Sequence, residues 1–409
     1  MRSADRRRAF DAFCAAAVGA AISWCVWRAS SAAPTIWLLL ALPVLWVRAP
    51  SRLAATAMML GYVLTGTHDI PTIVAGFFPG HTAAFGALLW IVAGLAWTLP
   101  WALLWRPAML PSRAGCRVGF AIWIVSTVPL GFIGWLTPLT LAGVAYPGWG
   151  FGGIATTLAL FGAAAAVAIP GRHRMRAAAV FGCLAITSAF VNVTYKAPAL
   201  PDGWRALDMH EGRYPDPADL AARIARQTSL VEQTMRALDV PGTRLLVLPE
   251  EIAGVHDALV DASWAHVDQR AREIGATVFV GLDEPIDESA YRDSLIALGA
   301  AAPLRVSARV PMLIGQWHPW RSPFAPIDIQ RPNTAVIDGR RMRFSFCYED
   351  YLLWLQPWAL RRSPPDVLIS VANNWFDPGA DAQRIQARHI ELWARLAGSP
   401  LLRATNWGR

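Results

Sequence analysis

An apolar run ending in a thiol, with an acidic pair directly behind it, is the first arrangement in this sequence suited to covalent chemistry: Arg343-Phe344-Ser345-Phe346-Cys347-Tyr348-Glu349-Asp350. The pattern predicts a short buried strand delivering Cys347 to a strand-to-helix turn. Backbone N–H groups converge on such a turn, where they favour a thiolate and stabilise negative charge on an attacked carbonyl oxygen. A plain core cysteine would look the same locally, because free Cys is among the most buried residue types. A second candidate lies upstream, where the apolar Arg244-Leu245-Leu246-Val247-Leu248 runs into Pro249-Glu250-Glu251. A carboxylate just past the end of a buried strand sits where open α/β sheets build their sites. Glu251 alone would also suit the acidic first turn of a helix.

The elements that must position these groups follow from periodicity. Strands are expected at Trp204–Met209, Arg244–Leu248, Ala276–Leu282, Ser294–Leu298, Thr334–Ile337, Arg343–Phe346, Asp366–Val371 and Leu401–Ala404. Helices are expected at Asp216–Leu238, Ala258–Ile274 and Ala380–Ala397, the first with Leu220, Ile224, Leu230, Val231, Met235 and Leu238 on or near one face. Strands alternating with helices argue for an α/β sandwich. The stretch Val310–Pro332, rich in Trp and Pro, is too long for a simple connection and reads as a site cover or a membrane-facing loop. His389 falls on an apolar stripe with Ile385, Leu392 and Leu396, which fits a satisfied buried histidine better than a ligand.

Composition divides the 409 residues near Lys196. Up to that residue there are fourteen basic and three acidic side chains, net +11; beyond it, twenty-three basic and 26 acidic, net −3. The polar half therefore has no basic excess, which argues against nucleic-acid binding. The first half carries seven apolar candidate spans: Phe10–Trp27, Pro34–Val47, Leu53–Gly66, Thr82–Trp105, Val118–Leu136, Phe151–Ile169 and Ala177–Val193. Arginines alternate between the connections, with Arg6, Arg7 and Arg8 before the first span, Arg48 and Arg52 after the second, Arg106, Arg113 and Arg117 after the fourth, and Arg172, Arg174 and Arg176 after the sixth. That alternation places the N-terminus in the cytoplasm and everything after Lys196 outside, in the periplasm of a Gram-negative cell. A cleaved signal peptide in place of the first span would break the parity. The expected organisation is a transmembrane domain of about seven helices over 1–196 and an extracytoplasmic domain over 197–409, held in the inner membrane.

Compartment bears on the thiol. Cys14, Cys25, Cys116 and Cys183 fall in or beside spans, so Cys347 is the lone cysteine of the outer domain. An unpaired thiol in an oxidising compartment is a liability unless it is used. No HExxH or CxxC occurs, and Lys196, the only lysine, lacks the glycine pattern of a phosphate loop. Neither a metal nor another cofactor is expected.

Four ordered motifs then carry a resemblance. Pro249-Glu250, Cys347-Tyr348-Glu349, Asn373-Asn374-Trp375-Phe376 and Arg403-Ala404-Thr405-Asn406 resemble the nitrilase (carbon–nitrogen hydrolase) superfamily. More narrowly they resemble its apolipoprotein N-acyltransferase branch and the nitrilase-like membrane proteins of plasmid transfer systems, which also place membrane spans ahead of the domain. The resemblance implies an α-β-β-α sandwich and a Glu-Lys-Cys triad. Glu250 would be the general base and Cys347 the nucleophile that forms a thioester. The Tyr348 N–H would contribute to the oxyanion hole, with Glu349, Asn373 and Trp375 supporting the site or the substrate. The implied activity is that of a thiol-dependent acyltransferase or amidase. The implied partners are a membrane lipid as acyl donor, a protein or peptide amine as acceptor, and proteins of a conjugal transfer apparatus.

Two departures mark the resemblance. The family lysine precedes a V-P-F-G-E run; here the stretch reads Ala308-Arg309-Val310-Pro311-Met312-Leu313-Ile314-Gly315-Gln316, and a one-residue shift puts Arg309 in the lysine's place. Arginine can donate to an oxyanion but cannot release a proton at accessible pH. The chain also stops at Arg409, straight after the T-N-x-G motif, where the family continues, so either the chain is truncated or its sheet ends early, and strands left unpaired would expose an edge. Both departures favour the alternative of a catalytically impaired assembly component. A transporter fits poorly, because the spans carry almost no charge.

Overall fold

The computed structural model describes residues 3–28, 32–77, 82–107, 110–127, 136–313, 315–355, 365–376 and 381–408. Two compact units emerge. One comprises Met1–Ala197, Tyr351–Pro364 and Ala380–Gly398, the other Pro198–Asp350, Pro365–Gly379 and Ser399–Arg409. The division is thus more than a single cut near Lys196, since two later stretches join the first unit.

The first unit is helical: α1 (Ser3–Arg28), α2 (Ala32–Ile36), α3 (Ala41–Arg48), α4 (Arg52–Gly66), α5 (Ile70–Phe77), α6 (Ala83–Leu104), α7 (Pro111–Thr127), α8 (Leu141–Ala145), α9 (Gly150–Val167) and α10 (Arg174–Thr194). Helix lies at each of the seven expected spans, but among the described residues four segments are long and apolar enough to cross a membrane: Asp5–Arg28, Ala84–Leu104, Gly150–Val167 and Arg174–Thr194. The second expected span is broken into α2, a 3-10 turn at Trp37–Leu40 and α3. Pro43 sits in the first turn of α3, where its missing N–H costs nothing, so the helix restarts there. The third, α4, has 15 residues. The fifth begins within α7, a helix of 17 residues, and its part at 128–135 lies outside the described residues.

Small residues set the helix contacts. A Cβ on Gly19 would fall onto the backbone of Met58, and one on Gly61 onto that of Ala16, so α1 and α4 cross backbone to backbone. Below that crossing Trp27 Nε1 donates to Tyr62 Oη at 2.9 Å, and Tyr62 Oη donates to the Leu136 carbonyl at 2.8 Å. The chain of bonds satisfies two buried polar side chains and one carbonyl in an otherwise apolar interior.

The second unit holds two sheets. Strands β1 (Trp204–Ala206), β2 (Leu245–Val247), β3 (Thr277–Pro285), β4 (Tyr291–Gly299) and β5 (Arg305–Ser307) lie in that order, with β1, β2 and β3 parallel and β4 and β5 antiparallel to their neighbours. Strands β6 (Thr334–Ile337), β7 (Arg340–Phe346), β8 (Val367–Asn374) and β9 (Leu401–Trp407) form the other sheet, antiparallel at β6–β7 and parallel from β7 to β9. Leu245, Val247, Phe279 and Leu295 of the first sheet pack against Phe344, Phe346, Ile369 and Val371 of the second. Phe279 and Phe344 meet edge to face across that core with centroids 5.1 Å apart. The alternate residues Leu246, Val278 and Val280 face outward onto Leu230 and Leu238 of α11 (Leu220–Leu238) and Trp264 and Val267 of α12 (Ala258–Glu273). The period-2 alternation of side chains thus builds a helix–sheet–sheet stack, an α/β sandwich.

A last helix, α13 (Asp381–Ala397), connects β8 to β9 but belongs to the first unit. The Ala382 N–H donates to Asp69 Oδ2 at 2.7 Å, Arg388 donates to the Val26 carbonyl, and Arg395 donates to Asn192 Oδ1 at 2.9 Å. His389 is buried with its ring 5.4 Å from that of Trp27, a packed histidine of the helical unit.

The chain's last strand is the edge of its sheet, as expected, but its final residues are paired. Met209 and the β9 backbone exchange bonds, Met209 N–H to Thr405 O at 2.9 Å and Trp407 N–H to Met209 O at 2.8 Å. The segment after β1 therefore covers the C-terminal end of the β9 edge, which the sequence did not reveal because the two stretches lie almost two hundred residues apart.

Candidate active site

Glu250 and Cys347 come from facing sheets and meet. Glu250 lies in the turn just past β2, and Cys347 opens the 3-10 turn Cys347–Tyr351 straight after β7. The Glu250 carboxyl is hydrogen-bonded with the Cys347 thiol, the acid fully buried and the cysteine half-buried. Backbone geometry enforces the Glu250 side. Gly281 of β3 lies directly beneath the turn, leaving no room for a Cβ beside the Pro249 carbonyl. Glu251 takes a left-handed φ of 50°, a strained backbone held by Gln316 Nε2 donating to its Oε1 at 2.5 Å.

Burial pushes Glu250 well above the usual carboxylate range, reinforced by Cys347 and Glu251 and opposed by a hydrogen bond from Asp293. Glu251 is also raised by burial, with Gln316 and Asp283 pulling it back. Asp283 and Asp293, paired in register across β3 and β4, are both pushed well above their ordinary value, first by burial and then by the neighbouring acids. Four carboxyls thus cluster here, Glu250 and Asp293 buried and Glu251 and Asp283 half-buried. Asp283 and Asp293 fall one residue outside the strands expected at Ala276–Leu282 and Ser294–Leu298, whereas β3 in fact runs on to Pro285 and β4 starts at Tyr291.

The other sequence-derived candidates divide. Glu349 is fully buried, and its Oε1 accepts the backbone N–H groups of Arg309 at 2.7 Å and Val310 at 3.1 Å. It therefore ties the stretch after β5 to the cysteine turn. The Arg309 side chain lies against the same carboxylate, Nε to Oε1 at 3.7 Å, with Nε finding no acceptor. Arg343 on β7 is a neighbour the sequence did not flag. Burial and then the like charge of Arg309 lower it to about 9, against the pull of Glu349. Tyr348 is buried, its hydroxyl without a hydrogen-bond partner among the described residues. Asp350, next along, accepts from Ser345 Oγ at 2.6 Å and Ser370 Oγ at 2.8 Å, which pins the turn to β7 and β8.

Asn373 and Trp375 lie at the C-terminal end of β8 and beyond it. Asn373 Oδ1 accepts from Asn406 Nδ2 at 2.8 Å, directly across the β8–β9 register. Asn406 in turn accepts the Glu211 N–H and donates to the Gly212 carbonyl, both at 2.9 Å. These asparagines join strand ends, a positional task. Trp375 stacks edge-on against Phe376 at 6.0 Å with the Arg213 guanidinium 5.1 Å from its ring. The adjoining Asp377-Pro378-Gly379 lies outside the described residues. Among the described residues, no group of three His, Cys, Asp or Glu side chains is arranged to hold a metal ion.

This arrangement can do one kind of chemistry well: a carboxylate takes a proton from a thiol in a water-poor site, and the thiol attacks a carbonyl. Comparison with known proteins finds the following similarities. The chain is 28% identical over 386 residues to the conjugal transfer protein TraB of Agrobacterium fabrum, covering 89% of this chain and 86% of that one. It is 28% identical over 382 residues to the probable conjugal transfer protein TraB of Sinorhizobium fredii, covering 90% and 91%. Solved structures with a partial likeness include an amidase of Nesterenkonia from the nitrilase superfamily, at TM-score 0.37, 16% identity and coverage of 50% and 77%. Another is a carbon–nitrogen hydrolase from Helicobacter pylori, at TM-score 0.36, 13% identity and coverage of 49% and 72%. No family model matches the chain. By the nine-tenths of its length that aligns, and by the sandwich and motif residues of its second unit, the chain resembles the TraB conjugal transfer proteins and the nitrilase, or carbon–nitrogen hydrolase, superfamily.

Proposed function

We propose that this protein is a membrane-bound, thiol-dependent acyltransferase or amidase of carbon–nitrogen hydrolase type that works through a Cys347 thioester. The observation that carries the reading is the buried hydrogen bond between the Glu250 carboxyl and the Cys347 thiol. Glu250 takes the thiol proton as Sγ attacks an acyl carbonyl. The Tyr348 N–H, in the first turn of its 3-10 segment, donates to the oxyanion. Collapse of the tetrahedral species expels the donor's alcohol or amine, which leaves with the proton held by Glu250. An amine, or water in the amidase case, then resolves the thioester with Glu250 again as base.

In this reading the donor is a membrane lipid, the acceptor a protein or peptide amine, and the partners are other conjugal transfer proteins, as similarity to TraB suggests. The second unit works in the periplasm from an inner-membrane anchor, as the alternation of arginines suggests. Two experiments test these statements. Full-length protein in detergent, mixed with a short-chain phospholipid, should gain one acyl mass on the peptide containing Cys347, removable by hydroxylamine and lacking in Cys347→Ala. An unmodified Cys347 peptide with every acyl lipid and amide offered would refute the covalent reading. An alkaline phosphatase fused after Lys196 should be active, and a cytoplasm-dependent reporter at the same place silent; the reverse would overturn the orientation.

One observation favours a second reading, that of an assembly component with an enzyme's outline. Lys196 is the only lysine in the chain, so no ammonium stands beside Cys347, and the Arg309 side chain lies against Glu349.

A further inference from the structure

Asp293 sits in the interior of β4, 2% exposed and opposite Asp283 in the antiparallel register. Among the described residues no N–H or O–H donor reaches either of its carboxyl oxygens. Its side chain instead lies beside the carboxyl of Glu250, within hydrogen-bonding reach should one of the two carry a proton. Two carboxyl groups can bond to one another only through a proton, because an ionised carboxylate has nothing to donate. The groups that face the pair admit no other source of balance. They are Glu251 after β2, Tyr291 on β4, Glu349 and Cys347 on the turn after β7, and Asp283 beyond Glu251 on β3. Arg309 and Arg343 flank Glu349. A second bare carboxylate among these acids, out of water, is strongly disfavoured.

Resting on the thiol reading above, we propose that Asp293 keeps the proton of this pair and donates it to one oxygen of Glu250, holding Glu250 as a carboxylate whose other oxygen faces Cys347. A neutral acid thereby does the holding that an ammonium would do in a lysine-bearing site. Asp293 is a positioning residue. Through a turnover Glu250 gains the thiol proton and returns it to the leaving group, while the Asp293 proton stays in place.

The test measures iodoacetamide alkylation of Cys347 against pH in the full chain, with infrared difference spectra of the same samples. Asp293→Ala removes the donor, so the acid-side inflection of the alkylation profile should move up by about one to two pH units, the worth of a hydrogen bond to a charged group. Asp293→Asn restores an N–H donor and should return the inflection most of the way. It should also erase the carbonyl band of one protonated carboxylic acid at neutral pH. The proposal is overturned by an unmoved inflection in an Asp293→Ala protein that still melts cooperatively. It is overturned equally by Asp293→Asn shifting as far as Asp293→Ala, or by an unchanged acid band. Should wild-type Cys347 react no faster than Cys14 or Cys183, the thiol reading is what fails, and the infrared band alone decides the protonation of Asp293.

Discussion

Replacing Glu250 by glutamine is expected to slow iodoacetamide alkylation of Cys347 by about a hundredfold at neutral pH, the low end of what a positioned general base contributes. Glutamine keeps the size of the side chain and an oxygen that can accept from S–H, so packing around the turn should survive; what disappears is the group that can take the proton. The pH profile separates this from simple disturbance. Burial holds Glu250 above the ordinary carboxylate range, so its base form is absent at low pH and appears only as pH rises through that elevated value. Wild-type alkylation should therefore climb along a limb set by Glu250 before the thiol's own ionisation takes over, and Glu250→Gln should lack that first limb. Mass spectrometry of the Cys347 peptide, with Cys14 and Cys183 as internal references, gives the rates. Wild-type speed in the glutamine variant would remove the carboxylate from the mechanism.

The second large effect comes from one methyl group. A Cβ on Gly281 would overlap the Pro249 carbonyl oxygen and lie 2.8 Å from both the Glu250 Cα and the Glu251 N. All three obstacles are backbone, so no side chain can swing away. The turn that carries Glu250 must rise off β3, or β3 must bow. Overpacking of this kind costs about 1–3 kcal/mol, and a displacement near 1 Å costs about a hundredfold in rate at a site that depends on alignment. Gly281→Ala should consequently melt earlier than wild type and, where still folded, show Cys347 alkylation close to that of Glu250→Gln. A control at Gly275, φ +66° and open to space on its Cβ side, separates the two costs: Gly275→Ala should lose stability through backbone strain while Cys347 keeps its reactivity. Normal reactivity in a folded Gly281→Ala protein would show that the position of Glu250 does not govern the thiol.

Much of this was legible along the chain. The apolar runs at Leu245–Leu248 and Phe344–Phe346 announced buried strands, and the Glu250 and Cys347 that follow them do lie just past the ends of β2 and β7. Side chains alternate across a strand and the polypeptide must turn where the apolar run stops, so a reactive group placed directly after such a run is carried to the sheet's edge by local rules alone. The charge seam at Lys196 was equally readable, because a membrane interior and a soluble domain demand different compositions. The interruption of the second span goes with Pro43 in the first turn of α3.

Pairing across distance was not legible. Nothing local in Tyr291-Arg292-Asp293 says that it is strand, since its polar side chains acquire partners only when β4 registers against β3 and the turn after β2 arrives alongside. Nor could the amphipathic pattern of Asp381–Ala397 disclose its destination: the same stripe suits any apolar surface, and Val26, Asp69 and Asn192 became its partners through folding of the whole chain. Sequence determined which groups exist and where along their strands they emerge, because those are matters of covalent order and short-range sterics. Which carboxyl meets the thiol, and which acid holds that carboxyl, was decided only in three dimensions, where burial and mutual distance set the protonation of groups that look alike in isolation.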